Sequence, residues 1–412
     1  MRVAGIIAEY NPFHRGHQYH LRQARELTGA EAVVVVMSGS FVQRGEPALT
    51  DKFSRAAMAI RGGADVVLEL PVPYATASAE TFAGGAVEIL DSLGVVTDLV
   101  YGCECPEPAR ISHVARILTE EPFSFREHLH AELRRGCAYP EARSAALEVC
   151  CPGNRDLLRS PNNILAVEYH KALLRRGSKI HPVALQRSGE EYHSLRLSSS
   201  APASASAIRQ EFARLDGLLA AEGKQHAPGC LPAEALRTAF PDSPLWTQLP
   251  EFCIQEIPWR LYPDDFSALL RCVLLRTSPE ELTDIQDMSP ALAARLKHFS
   301  GQLLTCTELA EQLKTRQITR TRVNRALLHT LLELPSSQPP ITAVRLLAMR
   351  RGTPVMRAIQ NHSEIPIVTK LADAPVGSLE ADNRAEEMFR TALWQKTGYR
   401  LNTENRLGPL LL

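Results

Sequence analysis

In the first half of the chain the apolar positions gather in short unbroken runs, set apart by stretches with helical spacing. The runs are Val3 to Ala8, Ala32 to Met37, Ala64 to Leu70, Asp98 to Tyr101 and Lys179 to Leu185. Continuous rather than alternating apolar positions predict strands buried on both faces, as in a parallel sheet. Helical spacing covers Leu21 to Leu27, Phe53 to Arg61 (capped by Thr50 and Asp51) and Ala79 to Leu93. A further helix, capped by Ser160 to Asn163, reaches Arg176. Strand and helix in alternation predict a Rossmann-like, doubly wound α/β fold with crossover helices. In such sheets ligands sit outside the carboxyl ends of the strands. Four loops begin there: Glu9 to His17, Ser38 to Glu46, Glu69 to Tyr74 and Gly102 to Glu104.

From Leu197 to Ala207 the chain is a Ser/Ala stretch that reads as a linker on composition. Beyond Arg214 it becomes Leu-, Ala- and Glu-rich, with helical spacing at Phe266 to Arg276, Pro290 to Phe299, Leu303 to Leu313 and Thr321 to Leu334. Pro335 to Pro340 breaks the pattern before Thr342 to Arg350, and Arg350-Arg351-Gly352 is expected at a helix end. The division predicted is 1–210, a doubly wound unit, and 211–412, a mainly α-helical region. A length of 412 residues suits more than one domain, and 45% hydrophobic with 22% charged residues is ordinary globular composition. Lys plus Arg and Asp plus Glu both number 46, so global charge carries no nucleic-acid signature, though a local basic patch can hide in a neutral total. The nine cysteines form no CxxC pair and follow no secretory signal, which predicts a reduced, cytoplasmic setting. Cys150-Cys151 lack nearby histidines at zinc-site spacing, so no protein metal site is expected. The apolar runs are too short to span a bilayer, so no membrane partner is expected either.

Candidate chemistry concentrates where the first strand ends. His14-Arg15-Gly16-His17 follows it and opens a helix. A helix N-terminus attracts phosphate through free N–H groups, and glycine permits close backbone approach. Two imidazoles there would stabilise charge during displacement at an α-phosphorus. Spacing alone leaves a surface pair or a metal pair open. Ser204-Ala205-Ser206-Ala207-Ile208-Arg209 places hydroxyls and an arginine at a second helix start, which suits the β- and γ-phosphates. The pairing of an HxGH motif with such a loop is the arrangement of the nucleotidyltransferase superfamily that includes class I aminoacyl-tRNA synthetases.

The runs GIIAEYNPFHRGHQYHL, VMSGSFVQRGEPA, GADVVLELP, SPNNILAVEY and SASAIR, with TRTRVNRALLHTLL and VRLLAMRRGTP later, resemble the bacterial tRNA(Met) cytidine acetate ligase family over nearly the whole chain. The resemblance implies a nucleotidyltransferase domain and a tRNA-binding region after it. It further implies an ATP-dependent ligase that forms acetyl-adenylate and acetylates N4 of the wobble cytidine of elongator tRNA(Met), giving N4-acetylcytidine, AMP and diphosphate. Carried over, ATP is assigned to Ile7, Ala8, Glu9, Tyr10, Asn11, Pro12, Phe13, His14, Arg15, Gly16, His17, Gln18, Tyr19 and His20, with Gly102, Asn163, Gln186 and Arg187. His14, His17 and Arg209 are the expected catalytic residues, and Mg²⁺ is expected to arrive with ATP. The family's Ser-Ala-Thr-x-Ile-Arg reads Ser-Ala-Ser-Ala-Ile-Arg here, which keeps the hydroxyl. Gln186-Arg187 stands where the family shows an Arg-containing pair. Lys52 and Arg55 share a helix face and are either assistants or a solvated cationic face. Glu9, Gln43, Arg44, Glu46, Asp65 and Glu69 are expected along the site edge, with Asp65 structural.

The tRNA partner has separate support. Lys314, Arg316, Arg320, Arg322, Arg325, Arg345, Arg350, Arg351 and Arg357 fall in a stretch whose only acidic residue is Glu333. Such stretches favour contact with a phosphate backbone. Acetate is the expected small substrate, and no obligate protein partner is evident. The rival readings are a nucleotidyltransferase of the same fold acting on a small metabolite without RNA, and a non-catalytic RNA-binding protein.

Overall fold

The computed structural model describes residues 1–187, 197, 203–221 and 228–412. Residues 198–202 of the expected linker lie outside these. The central sheet contains β1 (Val3–Ala8), β2 (Ala32–Ser38), β3 (Val66–Leu70), β4 (Asp98–Cys103), β5 (His181–Gln186), β6 (Val344–Met349), β7 (Ile367–Val368) and β8 (Leu410–Leu411). Its order is β8-β6-β3-β2-β1-β4-β5, with β7 pairing β6 on a separate path. The pairs β3-β2, β2-β1, β1-β4 and β4-β5 are all parallel. That is the doubly wound order read from the apolar runs, with the chain reversing direction across the sheet between β1 and β4.

Three elements framing the reversal are α1 (Arg15–Thr28), which follows β1, α2 (Lys52–Gly62), which follows β2, and α3 (Ala79–Ser92), which follows β3. The amphipathic α1 buries Leu21, Ala24 and Thr28, and Gly29 in left-handed conformation (φ 63°) ends it. With α2 it covers one face of the sheet, where Ile6, Val33, Val35 and Val67 pack with Leu21, Met58 and Ile60. The other face packs Val34, Val36 and Leu68 against Phe82, Val87 and Leu90 of α3 and against α4 (Pro161–Arg176). All seven residues of β2 are buried, which is why its sequence does not alternate.

The helical C-terminal region builds a third apolar cluster, including Leu270, Leu296, Leu313, Leu327 and Phe389. It is not sealed off from the sheet. Strand β6 pairs antiparallel with β3, so an edge strand from beyond residue 210 extends the parallel sheet. Arg350-Arg351-Gly352 therefore follows a strand, not a helix as expected: VRLLAM gains more from pairing with the open edge of β3 than a six-residue helix would gain alone. Among the described residues no helix is long and apolar enough to cross a membrane.

Candidate active site

A cleft of about 1090 Å³ opens at the carboxyl ends of β1 and β4, the point where the strand order reverses. The end of β1, the loop after it and helix α1 supply Ile7, Ala8, Glu9, Tyr10, Asn11, His14, His17 and His20 to its wall. Gly102 comes from β4, Arg187 follows β5, and Ser204, Ala205, Ser206 and Arg209 surround the start of α5 (Ala205–Ala221). Thus residues nearly 200 positions apart in sequence meet across one cavity: the Arg209 guanidinium donates to the Asn11 carbonyl at 2.8 Å.

Two helix N-termini face this space. At the first, His14 is the N-cap of α1, its Nδ1 accepting from the Gly16 N–H at 3.1 Å. His17 answers by accepting the His14 N–H on Nδ1 at 3.3 Å, and the rings stack with centroids 3.7 Å apart. An imidazole that accepts on Nδ1 carries its proton, when neutral, on Nε2. Burial, reinforced by Arg187, pushes His14 down to about 3. Burial and then its histidine and arginine neighbours push His17 well below the usual imidazole range. Both are therefore neutral N–H donors at pH 7. At the second terminus, the Ser204 hydroxyl accepts from the Ala207 N–H at 3.1 Å and so caps α5. Arg209 Nη2 sits 3.4 Å from the Ser206 hydroxyl and 3.5 Å from Glu46. Two helix ends, Arg187 and Arg209 make a cavity that favours an extended polyanion.

The floor is held from beneath by Arg55. Fully buried, it donates to the carbonyls of Glu9 at 2.7 Å, Ser38 at 3.0 Å, Thr50 at 3.2 Å, and Gly39. Neither Arg55 nor Lys52 forms the solvated face that spacing left open. Lys52 is buried among Glu69, Glu386 and Glu404, away from the cleft. The Glu69 to Tyr74 loop likewise leads to that ion cluster rather than to the cleft wall, because Val72 N–H donates to Asp382 at 2.7 Å. Asp65 is structural, accepting the Val33 N–H at 2.7 Å and pairing with Arg25.

The remaining carried-over residues stand outside the wall. Pro12 and Phe13 are buried, Phe13 edge-on to Tyr10. Arg15 donates to the Thr247 carbonyl at 2.8 Å, and Tyr19 lies exposed beside Arg22. Gly16 shapes the cap, since a Cβ there would stand 2.8 Å from the His14 ring. Gln18 is half-buried and Gln186 exposed. Asn163 is buried, its carbonyl oxygen accepting from the Glu104 and Cys105 N–H groups at 3.0 Å each, so its side chain holds the turn after Gly102. Asn162 lines the cleft instead.

An apolar side of the cleft was not legible. Phe82, Tyr101, Leu165 and Tyr169 come from three separate elements; Leu165 and Tyr169 fall within the SPNNILAVEY run, but nothing in it marked them as cavity-facing, and only the position of Tyr101 before Gly102 at a strand end hinted at the wall. The Tyr101 hydroxyl is turned to His170 Nε2 at 2.7 Å, whose Nδ1 meets Ser112 at 2.8 Å, leaving the ring to the cavity. On the opposite side the Glu9 carboxylate accepts the Gln43 N–H at 2.9 Å, and burial raises its pKa.

The HIGH Nucleotidyl Transferase family model matches residues 1–404. The tRNA(Met) cytidine acetate ligase of Acetivibrio thermocellus is 35% identical over 384 residues, covering 90% of this chain and 89% of that protein. The one of Clostridium perfringens is 34% identical over 429 residues and covers all of both chains. Crystal structures of Thermotoga maritima TmcAL superpose over the full length of both chains. The apo form has a TM-score of 0.86 at 30% identity, and the form bound with alpha-thio ATP 0.83 at 29%. By the family match along almost its entire length, and by relatives of one description at this level of identity, the chain belongs to the HIGH nucleotidyl transferases and, among them, to the tRNA(Met) cytidine acetate ligase family.

Proposed function

We propose that this protein uses ATP to activate acetate and then acetylates N4 of the wobble cytidine in elongator tRNA(Met), in two steps at one cleft. In the first, an acetate oxygen attacks the α-phosphorus, the bond to the bridging oxygen breaks, and diphosphate leaves with the electron pair. In the second, the exocyclic amine of cytidine attacks the acetyl carbonyl, AMP departs with the C–O electron pair, and the amine gives up one proton.

The observation that carries this reading is the convergence of His14 and His17, neutral and presenting Nε2–H, with Arg187 and Arg209 around the two helix N-termini. Neutral donors stabilise charge that develops in the transition state without binding the ground-state phosphate as tightly as cations would. Arg209, at the second helix terminus, is suited to the leaving diphosphate. The aromatic side formed by Tyr101 and Tyr169 suits a nucleobase. Mg²⁺ would enter on the triphosphate, since such ions take most ligands from phosphate and water. The described residues offer no group of three or more histidine, cysteine or carboxylate ligands. Residues 1–210 would carry the chemistry and 211–412 most of the tRNA contact.

Labelled diphosphate should exchange into ATP only with acetate present, and mass spectrometry of the treated tRNA should find the added acetyl on the wobble cytidine. Exchange that ignores acetate, or none with it, overturns the adenylation step. Exchange without acetylated RNA overturns the second step alone.

A further inference from the structure

A second pocket of about 530 Å³ lies against the hairpin that borders the cleft. The hairpin strands are Phe41–Val42 and Glu46–Pro47. Gln43 and Arg44 at its tip line the cleft, whereas Gly45, Glu46 and Pro47 line the pocket. The hairpin thus borders both cavities. It is fixed to α6 (Arg320–Leu331): at Gly45, with φ 73°, a Cβ would run into the backbone of Asn324 and Arg325.

The pocket floor is apolar, with Phe41, Phe266, Leu270 and Leu327. Its rim is polar, and the side-chain amide of Asn324 and the hydroxyl of Thr307 make no hydrogen bond among the described residues. Arg320 brings the basic stretch to this rim. Arg316 and Arg322 are exposed and have no ion-pair partner among the described residues. Arg320 lines the pocket and pairs with Glu311 at 2.7 Å, an exposed contact weak enough to exchange for phosphate. An apolar slot with unspent donor and acceptor groups, edged by Arg320 and one hairpin away from a reaction cleft, matches how single-stranded RNA is read. Unstacked bases enter pockets and are contacted on their edges, while cations hold the backbone.

We propose that this pocket receives a base of the anticodon loop adjacent to the wobble cytidine, so that neighbouring nucleotides are splayed to opposite sides of the Phe41–Pro47 hairpin. The inference rests on the reading that the substrate is RNA. The hairpin then acts as a wedge, separating the base to be modified from the neighbour through which the sequence is read.

The test uses the whole protein and anticodon stem-loop RNAs, intact or abasic at the nucleotide on the 5′ or the 3′ side of the wobble cytidine. One abasic RNA should bind at least about 10-fold more weakly than the intact RNA, in line with the loss of one stacked base. In Thr307→Phe, which fills the mouth, intact RNA should fall to the abasic level and the abasic change should cost nothing further. Asn324→Ala should show the same loss of distinction to a smaller degree. Acetate-dependent exchange, which needs no RNA, reports that the cleft is intact in each variant; should Thr307→Phe impair it, Asn324→Ala decides. Equal binding and acetylation of intact and abasic RNAs by the unaltered protein overturns the pocket and leaves the function standing. Failure to bind or acetylate even intact RNA overturns the reading of the substrate, and the pocket with it.

Discussion

At the scale of single residues, His14 does two things with two nitrogens. Nδ1 caps α1 and Nε2 is left for the cleft. His14→Asn retains a side chain able to cap, so it should keep the melting temperature near that of the unaltered protein while lowering acetate-dependent exchange by about 10²–10³-fold. His14→Ala should lose comparable activity and also about 1 kcal/mol of stability, measured by denaturant melts. Equal losses of stability in both variants would assign the residue to the helix alone. The depressed pKa of His14, about 3, and that of His20, about 4, also bear on pH. Each ring titrates below the physiological range when folded, so kcat/KM of the free enzyme should show no imidazole limb between about pH 5 and 8. The pairing of histidines was legible because both fall in the HxGH motif that opens α1, His14 as its N-cap and His17 in its first turn. Their tautomer was not, because it depends on which backbone N–H each ring meets. Tyr101 and Tyr169 were illegible for a related reason: an aromatic in a strand or helix looks the same whether it faces core or cavity.

At the scale of elements, the basic stretch divides according to what each arginine touches. On α6, Arg325 forms a two-pronged pair with Asp287 at 2.7 and 2.9 Å, and Arg345 of β6 is buried against Glu404 at 3.2 Å. These hold the fold. Arg316 and Arg322 are exposed and have no ion-pair partner among the described residues, so on the proposed function they are the ones available to RNA. Neutralising Arg316 and Arg322 should therefore weaken tRNA binding and reduce the slope of log K against log salt by roughly 0.7–0.9 per charge removed, with unchanged melting temperature. Arg325→Ala should lower the melting temperature itself, because it leaves Asp287 partly buried without its partner. If Arg325→Ala melts normally and only tRNA affinity falls, this division is wrong. A one-dimensional count of positive charges cannot separate the two groups. Asp287 is 38 residues upstream of Arg325 and acts on it only once the helices have packed.

At the scale of the whole molecule, the sheet and a buried ion cluster join the ends of the chain. Lys52 lies with Glu69, Glu386 and Glu404, and Ser40 donates to Glu386. Asp382 sits nearby, and Arg345 pairs with Glu404. Burial pushes Glu386 up to about 7 even though Lys52 pulls it down. The folded state thus holds a proton there up to about pH 7, whereas the unfolded carboxyl releases it near the ordinary value of about 4.3. Stability contributed by this proton is present below the unfolded pKa and lost as pH rises through the folded one. Glu386→Gln, permanently neutral, should therefore gain melting temperature relative to the unaltered protein as pH rises from about 4.3 to 7; a difference independent of pH across that window would overturn this. A fragment ending at residue 210 would lack β6 on the edge of β3 and the partners Glu386 and Glu404 of Lys52. It should accordingly fail to give a cooperative melt, whereas a fragment that melts cooperatively would make 1–210 an independent folding unit. Local sequence was enough for the strands of the parallel sheet, their winding, and the two helix starts that line the cleft, because buried runs, caps and glycines act over a few residues. Only the tertiary structure decided that the sheet takes an edge strand from the far half of the chain, which arginines stay free, and which aromatics wall the cleft. Those outcomes depend on contacts between positions hundreds of residues apart, and packing creates such contacts without leaving a local pattern.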